Sequence, residues 1–388
     1  MYLAARTLAA SANGQSGQPG QPGQPGFAAP SGHPHRVPGV RLPRIPREAA
    51  IAACLRMMGV EPHRIEFPGG LSRCSVRAIT AQGSMIVTRR KHAGRAALEA
   101  GVMRELHSGG APVPAVLAFD GEWLIQQDLG DQRLALSLGA DSGAWAARAA
   151  AALLLCQRAA EQAGLAQRVA PIGLKPEWLA GLLASPARIA ARLDLACPDI
   201  ETMVSPHQLA PLRPSFVKWD ARPGNAMRVD AGAGDGGVGW IDWEHCGARD
   251  ALDDLAWLLC DEYMPDDAGL EAALLKRFLP LFALQSRRSP ADALDYLSRF
   301  GTLHTSMRLA LVLERKADGP WWGEQACARA DRIGVTAAAA HGLCRRGVRW
   351  SGRWSGGERM RKFFMDADQR LHAAGPVPAQ PVAMPAAA

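Results

Sequence analysis

From about residue 131 onward the chain reads as a succession of helices, and one strand-rich island interrupts them. The helical segments are 143–164, 176–193, 206–211, 250–262, 268–283, 290–316 and 323–344, each marked by apolar residues recurring at three and four. The island runs SFVKWD (215–220), a short loop, NAMRVD (225–230), the turn AGAGDGG (231–237) and VGWIDW (238–243). Two strands around a glycine-rich turn form a hairpin, which returns its second strand beside its first. Asn225 and Asp242 therefore end near each other, with Asp220 a few residues from Asn225. Pro223-Gly224 makes the loop a turn, because proline presets one backbone angle and glycine tolerates the other. An acid and an amide held at fixed separation on one loop either bind a ligand or cap their own backbone.

The region before residue 131 has the opposite character. A helix, REAAIAACLRMMGV, is followed by short segments of β character at 63–68, 74–81 and 84–90. A helix at roughly 94–107 stops at Gly109-Gly110, and two more strands follow at 115–119 and 122–129. Five short, mostly antiparallel strands with one inserted helix make a small sheet region. The domain reading is a tail at 1–44, a sheet lobe at 45–129, a helical lobe at 130–374 and a second tail at 375–388. The first tail contains GQSGQPGQPGQPG, whose composition buries too little apolar surface to offset its ordering entropy.

With 48% hydrophobic residues, 388 residues suffice for a sizeable core. The net charge of +7 is spread along the chain without a dense basic run or aromatic-basic alternation, which argues against a nucleic-acid partner. The eight cysteines show no zinc spacing and mostly lie in apolar surroundings, as expected of reduced thiols in a cytoplasmic protein. No stretch reaches the roughly 18 apolar residues that cross a bilayer, so no membrane association is expected.

Two acids and an amide oxygen at one end of a hairpin form a set of hard oxygen donors. Mg²⁺ takes such ligands, often one or two from protein with substrate phosphates supplying the rest. Asn225 and Asp242 suit that part, and Asp220 suits accepting or orienting the proton of a hydroxyl. The order of these residues resembles the catalytic arrangement of protein kinases and their relatives. Pro223-Gly224-Asn225, Ile241-Asp242-Trp243-Glu244, Gly247 and Asp254-Leu255-Ala256 resemble the aminoglycoside phosphotransferase family in particular.

The resemblance, over roughly residues 47–260, implies an α+β, two-lobe protein-kinase-like fold, with a small antiparallel sheet lobe on a larger helical lobe. It implies ATP and Mg²⁺, with transfer of the γ-phosphoryl group to a hydroxyl of a small molecule. Asp220 takes the catalytic acid/base position, with Arg222 beside it. Asn225 and Asp242 are the metal ligands, and Asp254 supports the catalytic loop. Gly69, Gly70 and Ser72 lie in the loop that would cover the nucleotide, where backbone N–H groups cradle phosphates. Arg89, with Arg90 next to it, matches the strand base that meets the phosphates and pairs with a helix glutamate, here Glu99. The segment LIQQDLG, with Gln127, matches the hinge that meets adenine.

Taken singly, Asp220 is a turn acid, Arg89 a surface arginine and Gly69-Gly70 a plain turn; order and strand context make them a site. Glu244 is a candidate supporting group, and Trp321-Trp322 either cover core or line an acceptor pocket. The chain departs from the family pattern at Lys218 and Trp219, where the family has histidine and glycine, at Arg222 for a second histidine, and in having an arginine as strand base. These departures leave open a nucleotide-binding pseudokinase acting as a scaffold. Neither the acceptor nor the oligomeric state is legible in the sequence.

Overall fold

The computed structural model describes residues 44–373, apart from 140, 174–175, 230–235 and 331. The two tails, but for residue 44, and most of the AGAGDGG turn lie outside the described residues.

Helix α1 (Arg47–Met58) precedes a five-stranded antiparallel sheet built from β1 (Arg64–Glu66), β2 (Ser75–Thr80), β3 (Gly83–Arg89), β4 (Val116–Phe119) and β5 (Trp123–Gln127). The strand order is β1-β2-β3-β5-β4. The period of two is visible in β2, where Val76, Ala78 and Thr80 are buried and their neighbours are not. Val76 opposes Val87, and Ala78 opposes Met85. These residues pack with Ala50, Ala53 and Cys54 of α1. Each fully buried valine or isoleucine in this small core contributes about 2 kcal/mol.

Helix α2 (Ala93–Ser108) is inserted between β3 and β4 and stops before Gly110, whose φ of 74° is left-handed. Its Ala100, Val102, Met103 and Leu106 belong to the core of the helical lobe rather than to that of the sheet. Helix α2, together with Leu124 of β5, thus carries hydrophobic packing between the two lobes. The helical lobe continues with α3 (Ser142–Gln162), α4 (Pro176–Leu183), α5 (Ser185–Leu193) and the short α6 (Ile200–Met203). The strand island follows as β6 (Ser215–Val217), β7 (Ala226–Val229), β8 (Gly237–Trp240) and β9 (Gly247–Arg249). Helices α7 (Leu252–Leu259), α8 (Ala268–Ser286), α9 (Pro290–Lys316), α10 (Glu324–Arg329), α11 (Ala337–Ser351) and α12 (Glu358–Ala373) complete it. The two-lobe, protein-kinase-like arrangement expected from the sequence is the one observed.

Several boundaries differ from expectation. The helix expected at 176–193 breaks at residue 184, because Pro186 in the first turn of α5 cannot continue a preceding helix. The helix expected at 323–344 is two, and Thr336 starts the second by accepting a hydrogen bond from the Ala339 N–H. Residues 206–209 form only a 3₁₀ turn. The island is also two pairs rather than one sheet: β7 pairs with β8 as expected, but β6 pairs with β9. Gly247 in β9 is required by close approach, since a Cβ there would lie 2.7 Å from the Ala170 carbonyl oxygen. Six of the eight cysteines are buried and all are free. Among the described residues no helix is long and apolar enough to cross a membrane.

Candidate active site

The loop from β6 to β7 carries most of the site. Trp219 and Asp220 have φ of 54° and 55°, and Asp242, just after β8, has 62°. Left-handed backbone at non-glycine residues costs on the order of 1–3 kcal/mol each and persists only where the surroundings impose it. Asp254 in the first turn of α7 supports it at the start of this loop. Its carboxylate accepts the backbone N–H groups of Lys218 and Trp219 at 2.9 Å each, and the side-chain amide of Gln157 at 3.1 Å. Burial pushes the Asp254 carboxyl up, and these three donors act against that shift. Trp219 holds a glycine-like conformation by packing its ring 5.5 Å from that of Trp178 and 5.4 Å from that of Trp257.

Three further side chains fix the loop. Lys218 is fully buried, and its Nζ donates to the carbonyl of Asp242 at 3.0 Å and to that of Asp220 at 3.4 Å. One ammonium thus joins the two acid-bearing segments by their backbones; burial pulls its pKa down, against the pull of Asp220 and Asp242. Asn225 donates Nδ2 to the Asp220 carbonyl at 3.0 Å and to its carboxylate Oδ2 at 2.7 Å. With the amide nitrogen so engaged, its Oδ1 is the atom left to serve as a ligand. Arg222 Nε lies 3.3 Å from Asp220 Oδ1. Arg133, which no sequence motif marks, donates to the Gly224 carbonyl at 2.5 Å and so anchors the turn.

On the sheet side the base paired with the helix glutamate is Arg90, not Arg89. Arg90 donates Nε and Nη2 to Glu99 at 2.7 Å each, Nη2 again to Asp242 at 2.7 Å, and Nη1 to Glu244 at 2.9 Å. Arg89 is the last residue of β3, points outward and pairs with Glu122 through Nε at 2.6 Å. Glu99 is completely buried and also accepts the Trp243 N–H at 3.2 Å. Burial raises the Glu99 carboxyl against the pull of Arg90. Burial acts the same way on Asp242, but Arg90 and Lys218 outweigh it and hold that carboxyl below its ordinary value.

A cavity of about 970 Å³ opens between the lobes. Of the residues anticipated for the site, Gly69, Ser72, Arg90, Gln127, Asn225, Asp242 and Glu244 line it. Gly70, with φ of 88°, shapes the covering loop without lining the cavity. Asp220, Arg222 and Glu99 are not among the lining residues: Asp220, with Arg222 beside it, joins the wall through Asn225, and Glu99 joins it through Arg90, whereas Arg89 borders a separate recess. The Gln127 backbone N–H and side-chain oxygen are both engaged with Ala115. On the helical side the wall includes Trp322, Arg332 and Ile333, from the connections flanking α10. Of these, only Trp322 drew attention in the sequence.

The donor set fits a hard divalent cation. The Asp242 side chain keeps 35% of its surface exposed, and Asn225 lines the same cavity.

The family model of the phosphotransferase enzyme family matches residues 63–290, more than half of the chain. Among curated proteins no relative matches. Among solved structures, an amicoumacin kinase bound to AMP-PNP and Ca²⁺ is 12% identical, with a TM-score of 0.48, over 75% of this chain and 95% of its own. A choline/ethanolamine kinase family protein from Mesorhizobium loti is 17% identical, with a TM-score of 0.43, over 79% and 92%. Choline kinase LicA from Streptococcus pneumoniae is 14% identical, with a TM-score of 0.41, over 75% and 96%.

Proposed function

Since the chain belongs to the phosphotransferase enzyme family, we propose that it is an ATP-dependent kinase acting on a hydroxyl of a small molecule. The observation that carries this reading is the hydrogen bond from Asn225 to Asp220, with Asn225 and Asp242 in one cavity wall, on backbone held by Asp254 and Lys218. Asn225 Oδ1 and the Asp242 carboxylate would hold Mg²⁺. The ion would supply positive charge to the transferred phosphoryl group, whose transition state spreads negative charge over its oxygens.

The chain's own residues do the rest. Asp220 is aimed by Asn225 and Arg222 and would accept or orient the acceptor's hydroxyl proton. Backbone at Gly69, Gly70 and Ser72 would cover the phosphates, and the segment at Gln127 would border adenine. Arg90 fixes Asp242 and Glu244 relative to α2, so the metal-binding acid is positioned before the nucleotide arrives.

A second reading, a nucleotide-binding pseudokinase, is favoured by one feature. Arg90 engages Asp242 directly, so a metal must share that carboxylate with a guanidinium. ADP release from Mg-ATP, measured with a panel of hydroxylated small molecules beside Asp242→Ala, separates the two. Acceptor-dependent release that vanishes in the variant supports the kinase. Thermal stabilisation by ATP without release supports the pseudokinase, and neither response means that the cavity is not a nucleotide site.

A further inference from the structure

His341 on α11 faces Asp368 and His372, which lie one turn apart on α12. His341 Nδ1 is 2.7 Å from Asp368 Oδ1, and the two imidazole centroids are 4.0 Å apart. One ligand atom from each of the three side chains falls within 4.8 Å of the others, and no other such group occurs among the described residues. None of the three lines the cavity between the lobes.

The hydrogen bonds set the ring chemistry. His372 Nδ1 lies 2.8 Å from the Asp368 carbonyl oxygen, which only accepts, so Nδ1 carries the proton. In the neutral ring the free lone pair then sits on Nε2. A metal-bound histidine commonly has this arrangement, its other nitrogen donating to a carbonyl or carboxylate. His341 Nδ1 and Asp368 Oδ1 are 2.7 Å apart, close enough for one ion to replace the proton between them. His341 and Asp368 side chains are 19% and 22% exposed, while His372 at 63% leaves a path from solvent.

We propose that His341, Asp368 and His372 form a binding site for Zn²⁺ or a similar divalent transition metal, clamping α11 to α12. Two imidazoles and one carboxylate suit such an ion, and water fills the fourth tetrahedral position.

The test uses the full chain without a histidine tag, stripped with chelator, with Cys197→Ser removing the one exposed thiol. Zn²⁺ is titrated against a chromophoric chelator, and melting is followed in parallel. The expected result is one equivalent bound and a Tm rise of about 3 °C at 100-fold excess over Kd. His372→Ala, at an exposed position, should weaken binding at least about tenfold and abolish the shift. His341→Ala should do the same, and excess Mg²⁺ should not compete. Unchanged affinity in His372→Ala, no stoichiometric binding, or displacement by Mg²⁺ would each overturn the proposal. No outcome depends on phosphotransfer.

Discussion

Glu99 and Asp242, on different lobes and far apart in sequence, both accept from the same nitrogen of Arg90 at 2.7 Å. Glu99 is fully buried, so it depends on that guanidinium. Removing one member of a buried pair leaves an uncompensated charge and costs about 3–5 kcal/mol. Arg90→Ala should therefore lower unfolding stability by about that amount in urea titration, whereas Arg89→Ala, at an exposed pair, should cost under about 1 kcal/mol. Equal losses would mean that the two arginines are not distinguished as the geometry indicates.

Asp254 should matter to activity through the backbone alone. Asp254→Ala removes the acceptor for two backbone N–H groups and an amide, leaving buried donors unpaired. A destabilisation of about 2–4 kcal/mol is expected. Because the left-handed backbone at Trp219 and Asp220 loses its support, kcat should also fall by about 10²-fold. Retained kcat in the folded variant would show that the loop holds itself.

Asp220→Asn should separate chemistry from folding. The side chain is partly exposed, and an asparagine oxygen can still accept from Asn225. The melting temperature should stay within about 2 °C, within the spread of surface substitutions. Acceptor-dependent ADP release should fall by about 10²- to 10⁴-fold, the usual contribution of a positioned acid/base. A variant with wild-type turnover would remove Asp220 from the mechanism.

His304 sets a pH dependence. Burial, together with Arg308, pulls its pKa from 6.5 down to about 3. The unfolded chain therefore binds a proton below pH 6.5 that the folded chain refuses. That stability is lost as pH falls from 6.5 towards 3, at up to about 1.4 kcal/mol per pH unit. The advantage of His304→Leu over wild type, measured by denaturant titration, should grow by that slope between pH 6.5 and 4 and stay constant above pH 7. A constant difference across the range would show that the imidazole accepts a proton in place.

The site was largely legible where its parts are close in sequence. Asp220, Pro223-Gly224 and Asn225 form one turn, and a hairpin returns Asp242 to it, so local punctuation specifies their approach. Arg89 and Arg90 were not distinguishable, because side chains alternate along a strand and a one-residue shift exchanges faces. Only the end of β3 at Arg89 decides which arginine turns inward. The pairing of β6 with β9, and the presence of Arg332 and Ile333 in the cavity wall, depend on contacts between distant segments that no local pattern records. The helix breaks near Pro186 and Thr336 did carry local signals, but helical periodicity on both sides masked them.

The loop that covers the cavity is also fastened at its far side. Arg73, beside Ser72, donates Nη2 to the carbonyl of Ala330 at 2.8 Å, joining the sheet lobe to the chain just past α10. A hydrogen bond from a charged donor contributes about 1.5–3 kcal/mol. The position of that loop is thereby coupled to the chain just past α10, a segment remote in sequence from Asp220, Asn225 and Asp242. Release of the loop and release of the chain that follows α10 are opposed by the same arginine.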